Sequence, residues 1–421
     1  MRMLVVTNMY PPHHYGGYEL SCQDTVRRFR ARGHEVSVLT STIQVEGVES
    51  PRNEDGGRVG RELELYWHDH VLLSPSLWTR LKIERHNQQA LERALTAARP
   101  DLVSIWNMGA LSLGLLTTIS RRRLPMVFVI GDDWPCYAQR LDAWSRLFHG
   151  PVGTAAGRLI ESITGVPASV PDVGAMGACC FNSEAMRRAA RQCLGVSLPR
   201  TGIVYSGIEA TDFPVAADDA PVSNRPWRGE LLYVGRLDER KGIDTVLRAL
   251  VELPAARLTV VGRGDNAYLV RLRELAARLR VADRVVFTAT DRSQLRSVYR
   301  AADALVFPSV YDEPFGLVPL EAMACDTPVV ATGRGGSGEY LTDGGNCLLF
   351  PAGDHVQLVG AISRLADHPD LRAKVVIGGR GAARALTTDA LAETLLAWHD
   401  AALAGFAHGQ PADRELRRPR L

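Results

Sequence analysis

At 421 residues, 46% hydrophobic and 23% charged, the chain has the make-up of a globular protein with room for two cores of about 200 residues each. Its 49 Lys and Arg nearly balance 47 Asp and Glu, which excludes a strong net field drawing it to nucleic acid or an anionic membrane and makes any anion site a local matter. The seven Cys, irregularly spaced apart from Cys179 and Cys180, read as buried thiols of a reducing compartment and not as a disulfide framework, and no Cys-x-x-Cys or His-x-x-x-His is present to suggest a metal site.

The first stretch, "MRMLVVTNMYPPHH", has only four consecutive apolar residues after Arg2, too few for a signal peptide, and no run of about 18 apolar residues follows, so the expected location is the cytoplasm. From Met3 a strand "MLVVTN", a Pro/Gly-rich loop, an amphipathic helix closing at Gly33 and a strand "EVSVLTS" form a βαβ unit. Strands "DLVSIW", "PMVFVI", "ACCFNS" and "TGIVYSG" continue the alternation, apolar throughout as strands buried on both faces should be. The runs "RRFRAR" and "RRR" at Arg121 read as solvated helix surface with scope for peripheral membrane contact. Trp78, Trp134 and Trp144 read as core packing in the same half.

A Pro/Asp/Ala-rich stretch without apolar periodicity then interrupts the rhythm and reads as a linker, 209–229. A second series of strands follows: "LLYVG", "RLTVVG", "RVVFT", "ALVFPS", "PVVAT" and "CLLF". The expected organisation is a doubly wound α/β domain over 1–208, the linker, a second such domain over 230–387, a helix over 388–405 returning to the first domain, and a tail over 406–421 with few apolar residues. Two such domains facing each other would leave a cleft at the carboxyl ends of their strands, so functional residues should follow strands directly.

Three stretches answer that description. In "EPFGLVPLEAMACDTPVV" Pro319 is tolerated only in a first helical turn, which predicts a helix start near Leu317, with Glu313 in the loop before it and Glu321 on the helix. The amides around Gly316 to Val318 then form an anion site with a carboxylate on each side, though a loop Glu and a helix-start Glu that merely suit the dipole fit the same letters. In "YVGRLDERKGIDTVLRAL" Gly235 ends a strand, and Arg236 and Lys241 flank a turn into a helix, enough positive charge for a diphosphate or simply a solvated turn. In "PPHHYGGYEL" Gly16 and Gly17 leave room for a ligand's close approach, and Glu19 sits in the first helical turn. "VVGRGDN" lacks the third Gly of a dinucleotide fingerprint.

"GGYE", "GRLDERKG", "ADALVFPSVYDEPFGLVPLEAMACDTPVVAT" and "GGSGEYLTDGGNCLLF", in this order, resemble the retaining GT-B-fold glycosyltransferases of family 4. The resemblance implies two Rossmann-like domains and transfer of a sugar from a nucleotide diphosphate sugar, without metal or other cofactor, to a small-molecule, lipid or saccharide hydroxyl. It implies that Glu321 grips the ribose, Glu313 lies at the donor sugar, and Arg236 and Lys241 hold the diphosphate, with the backbone of Phe315, Gly316, Leu317 and Val318 and the Gly16–Gly17 loop completing the cradle. The family pattern carries His-Asp after a late strand of the first domain, whereas here "VFVIGDDWPCY" has Gly131 at the His position; Asp132 then aligns with the family Asp, with Asp133 as its reserve, on the acceptor side with Glu19. Cys347 stands where the family has Gly after "GGN". A nucleotide-sugar hydrolase or epimerase on the same fold, or an inactive scaffold, are the competing readings.

Overall fold

The computed structural model describes residues 1–49, 58–68, 71–168, 173–194, 198–217, 220–222 and 226–408. The described residues divide into two units, one made of residues up to 204 together with 391–408, the other of 205–390. In the first unit the apolar runs become β1 (Arg2–Val6), β2 (Glu35–Ser41), β3 (Val59–Leu63), a hairpin of β4 (Trp67–His68) and β5 (Val71–Leu72), then β6 (Leu102–Ile105), β7 (Met126–Ile130), β8 (Gly177–Phe181) and β9 (Thr201–Ile203). Seven of these form one parallel sheet in the order β3-β2-β1-β6-β7-β8-β9, a doubly wound arrangement that reverses direction beside β1. Strands β6, β7 and β8 are buried at every position, which is why they carry unbroken apolar runs.

The second unit repeats the plan with β10 (Glu230–Val234), β11 (Arg257–Val261), β12 (Val285–Thr288), β13 (Ala304–Phe307), β14 (Val329–Ala331) and β15 (Leu348–Leu349), all parallel, in the order β12-β11-β10-β13-β14-β15. Leu231, Leu258, Val306 and Val330 fill one face of the sheet and Leu232, Leu305, Val329 and Ala331 the other. Alternate residues of one strand thus serve two cores.

The last helix among the described residues, Thr388–His408, begins in the second unit and continues in the first. Trp398 lies against β9, where a Cβ at Gly202 would fall 2.0 Å from its ring, and the buried His399 ring meets Ser104 of β6 at 3.2 Å.

Three expectations need correction. The segment 209–229 was expected to be a linker, but its described residues are packed on the second unit: Phe213 is buried edge-on to Tyr299, Arg380 donates to the carbonyls of Ala217 and Ala220, and Arg384 donates to that of Ala216. Single buried anchors and backbone carbonyls leave no periodicity for a sequence reading to find. Cys136 and Cys193, 57 residues apart, form a disulfide joining helix Trp134–Leu141 to helix Glu184–Leu194, while the other five Cys are free and buried. The thiol argument for a reducing compartment therefore does not hold. Trp134 and Trp144 are buried as expected, but Trp78 is 74% exposed. Of the tail expected over 406–421, residues from 409 onward lie outside the described ones. Among the described residues no helix is long and apolar enough to cross a membrane.

The first unit also holds a buried polar cluster that no motif announced. Asp142 accepts from the amides of Leu113, Trp144 and Ser145 at 2.9 Å each and from the Ser145 hydroxyl. Nearby Glu84 accepts from Tyr66 at 2.7 Å, and burial together with Asp142 pushes its carboxyl up to about 8.

Candidate active site

In the second unit the two expected loops, after β10 and after β13, are stitched together by backbone. Gly242, at φ 67°, turns the chain so closely against Pro308 that a Cβ there would fall 2.2 Å from its carbonyl oxygen, and the Val310 amide donates to the Arg240 carbonyl at 2.9 Å. That contact delivers Lys241 to the loop after β13. Its Nζ meets Glu313 Oε1 at 2.7 Å and Oε2 at 3.0 Å and the Tyr311 hydroxyl at 3.1 Å, and it stands over the Tyr311 ring at 4.9 Å. Glu313 is 4% exposed and also accepts from Tyr311 at 2.8 Å and from Ser309. The Gly336 amide donates to the Glu313 carbonyl at 2.7 Å, so the "GGSGEY" stretch holds this loop from its other side.

Arg240 stands over the Tyr311 ring at 5.1 Å, and its charge, with a smaller contribution from the exposed Arg236, lowers Tyr311's phenol against the larger rise caused by burial and by Glu313. Asp238, by contrast, is taken by Arg240, whose guanidinium holds that carboxyl down at about 2.

The helix after β13 begins as the Pro rule requires, with Leu317 at its N-cap and Val318–Ala324 helical. Gly316 at φ 87° makes the turn into it, and the Tyr340 hydroxyl donates to the Gly316 carbonyl. Phe315 turns its side chain into the core beside Tyr205 and Tyr340, leaving only its backbone for a ligand. Glu321 Oε2 accepts from the buried Tyr299 hydroxyl at 2.6 Å, and burial raises its carboxyl above the ordinary range. Glu313 and Glu321 therefore occupy distinct settings, one neutralised by a lysine and one fixed by a phenol.

Sequence reasoning missed Ser309, Tyr311 and Tyr299. For the first two a signal existed: with Glu313 they stand at i, i+2 and i+4, a spacing that puts side chains on one side of an extended segment. Tyr299 lies 22 residues from its partner and has no such mark.

In the first unit Gly16 is the N-cap of helix Gly17–Ala31 and the Glu19 carboxylate reaches back to its amide at 3.0 Å, so Glu19 is engaged in capping. Tyr18 is the unforeseen residue. Its hydroxyl donates to the carbonyls of Trp106 and Val129, and its ring lies where a Cβ at Gly131 would be only 2.6 Å away. A side chain at position 131 would therefore collide with Tyr18, and glycine leaves the room its ring needs.

Asp132 lies two residues after β7, beyond Gly131. Its Oδ1 accepts from the Trp134 amide at 3.2 Å, and Oδ2 from Tyr137 and Asn107 at 3.4 Å each. Burial, with smaller contributions from Asp133 and Glu19, pushes its carboxyl up to about 7. It is therefore both a turn cap and a carboxylate poised to change charge near neutrality. Asp133 is exposed at the N-cap of helix Trp134–Leu141.

A raised carboxyl pKa binds its proton more tightly folded than unfolded, so its contribution to stability falls as pH rises from the ordinary carboxylate range to the folded value. For Asp132 that window runs from about 4 to about 7. In Asp132→Asn, which can still accept from the Trp134 amide, the melting temperature relative to wild type should rise across this window, as thermal unfolding at a series of pH values would read. A constant difference would mean that Asp132 titrates normally.

Two doubly wound units, each with charged side chains just after its strands, are the plan of the GT-B architecture. The family model described as Glycosyltransferase Family 4 matches residues 15–212, and that described as Glycosyl transferases group 1 matches 221–381; the chain belongs to this family. It is 38% identical over 226 residues to a D-inositol 3-phosphate glycosyltransferase of Acidothermus cellulolyticus, a match covering 50% of each protein. A glycogen synthase of Mycobacterium tuberculosis is 34% identical over 215 residues, 49% of each. The chain thus spans about half the length of the curated relatives it matches. Among solved structures, sucrose-phosphate synthase from Thermosynechococcus elongatus superposes with a TM-score of 0.72 at 22% identity, over 96% of this chain and 99% of the other.

Proposed function

We propose that the protein transfers a sugar from a nucleotide diphosphate sugar to a hydroxyl acceptor with retention of configuration at the anomeric carbon. The observation that carries this reading is the Lys241–Glu313–Tyr311 cluster, with Glu321, eight residues on, fixed by Tyr299. Arg236 and Lys241 are the cations for the diphosphate, helped by the backbone of Phe315 to Val318. The Glu321 oxygen not held by Tyr299 accepts from the ribose hydroxyls. Glu313 serves the reacting sugar directly and sets the position of Lys241.

In the step proposed, the bond between the anomeric carbon and the diphosphate oxygen breaks and the bond to the acceptor oxygen forms on the same face. The departing phosphate oxygen takes the acceptor's proton. Negative charge grows on the diphosphate as this happens, so fixed cations stabilise the transition state more than the ground state. No enzyme nucleophile and no metal is needed in this scheme. Asp132, as a carboxylate, accepts from sugar hydroxyls and favours positive charge at the reacting carbon. Turnover should therefore rise with pH through about 7, and Asp132→Asn should lose that rise together with at least about tenfold in turnover.

The test is a thermal-shift screen against UDP-, GDP-, ADP- and dTDP-sugars, with and without EDTA. One donor class should raise the melting temperature by mass action, and EDTA should leave that rise in place. Glu321→Ala should diminish it and raise the donor's KM with turnover little changed, because a ribose grip acts equally in ground and transition states. If no nucleotide sugar shifts the transition, the donor reading fails; rapid consumption of the donor without acceptor would point to a hydrolase or epimerase.

A further inference from the structure

Tyr299 stands in the last turn of helix Arg292–Ala301 with its ring fully buried, and its hydroxyl donates to Glu321 Oε2 at 2.6 Å. That bond engages one oxygen of the carboxylate and leaves Oε1 for a ligand. What aims the phenol is a stretch of chain that carries no motif, the residues just after the second unit begins at Tyr205.

Phe213, 1% exposed, meets the Tyr299 ring edge-on with 6.0 Å between centroids. Beside it Asp212 Oδ2 meets the Arg292 guanidinium at 2.9 Å. Arg292 and Tyr299 are seven residues apart, two turns along one helical face, so two neighbouring side chains of the connecting segment grip that face at both ends. The segment itself is tied into a turn. The Glu209 carboxylate accepts from the Thr211 amide at 3.2 Å and the Thr211 hydroxyl at 3.0 Å, and the Glu209 carbonyl accepts from the amides of Asp212 and Phe213 at 3.1 and 2.9 Å. From the other side the Thr327 hydroxyl donates to the Tyr299 carbonyl at 2.8 Å.

Core packing alone calls for the ring and not for the hydroxyl, since phenylalanine fills the same space. Here the hydroxyl is bonded to a partly buried carboxylate. Burial is what most raises the Glu321 carboxyl; the Tyr299 bond and then the Arg292 charge act against that rise, and Asp212 adds weakly to it. Phenol and guanidinium thus both favour the charged form that accepts hydrogen bonds. A carboxylate with one oxygen pinned offers the other in a single direction, so little ordering is left to do when a ligand arrives. An acceptor fixed in this way discriminates strongly against a ligand that lacks the matching hydroxyl.

We propose that Tyr299 is a positioning residue, aimed by Phe213 and by the Asp212–Arg292 pair, that holds Glu321 against the ribose and makes the site select ribonucleoside over 2′-deoxyribonucleoside diphosphates. The proposal rests on the donor reading above, in which Glu321 accepts from the ribose hydroxyls.

The experiment is isothermal titration of the full chain with three pairs, UDP and dUDP, GDP and dGDP, ADP and dADP, the base that binds wild type best being carried to the variants. Wild type should prefer the ribonucleotide at least about tenfold. Tyr299→Phe, which keeps the ring against Phe213, should weaken the ribonucleotide about tenfold and leave the deoxyribonucleotide nearly as it was, so that the preference falls to about twofold or less. A purely structural role would weaken both members of the pair alike. Should Tyr299→Phe disturb folding, Arg292→Gln at the solvent end of the same face should lower the preference at least about threefold, and Arg292→Lys, which keeps the charge, should restore most of it. A wild type that binds both members alike, or variants whose preference is intact, overturns the proposal while nucleotide binding stands. If none of the six nucleotides binds wild type, the donor reading fails and takes this proposal with it.

Discussion

Lys241→Ala is expected to lower kcat/KM for the donor by the equivalent of about 2 to 4 kcal/mol and, in addition, to destabilise the protein. The second effect comes from Glu313. With the ammonium gone, a carboxylate only 4% exposed keeps two hydroxyl donors but loses its cation, and removing one partner of a buried pair costs on the order of 3 kcal/mol. Arg236→Ala offers the contrast: its guanidinium is exposed, so activity should fall by a similar factor with the unfolding midpoint in place. A double substitution separates the two roles of the lysine. Lys241→Met with Glu313→Gln removes the orphaned charge, so stability should recover while turnover does not. An unchanged midpoint in Lys241→Ala would show that Glu313 does not depend on it.

Asp142→Ala should give the largest loss of stability without any loss specific to the donor. Three amides, of Leu113, Trp144 and Ser145, and one hydroxyl converge on this carboxylate, which is 2% exposed. Deleting it strands buried donors that each carry a desolvation penalty of about 1 to 3 kcal/mol, and partial rehydration brings the expected sum to about 4 kcal/mol. Urea unfolding should show an earlier midpoint with unchanged slope. The Trp144–Phe148 cluster, which Asp142 organises, would loosen first, visible as increased amide exchange in residues 143–148. A shift in midpoint below about 1 kcal/mol would mean that water replaces the carboxylate well.

Much of the architecture was legible because it is written locally. Apolar runs separated by helical stretches announced both parallel sheets, Pro319 placed a helix start within a residue, and the Gly-rich junctions marked where strands give way to helices. What stayed hidden depends on residues far apart in the chain. Lys241 and Glu313 are 72 residues apart, and nothing near either one says that the cation expected for a diphosphate is already paired with the carboxylate expected for the sugar. Tyr18 and Gly131 show the same thing in steric form: a glycine that reads as a lost functional residue proves to be the space left for a tyrosine from the first turn of helix Gly17–Ala31. The Cys136–Cys193 bridge and the packing of 209–217 on the second unit belong to this class too. Trp78 misled for another reason, since composition cannot distinguish a Trp that closes a core from one that faces outward.

The path of the chain has a consequence for the order in which the molecule is assembled. Val204 and Leu391 belong to the same hydrophobic cluster, so the second unit is a guest inserted between β9 and the helix that completes the first. On a ribosome the guest has its whole chain once Ala390 has emerged, whereas the host sheet still lacks Trp398 and His399. The usual sequence, in which the N-terminal domain folds first, is thereby reversed for the final packing step. The nascent host must wait with the floor of β9 uncovered, and a chaperone that holds apolar surface would find it there until the last helix arrives.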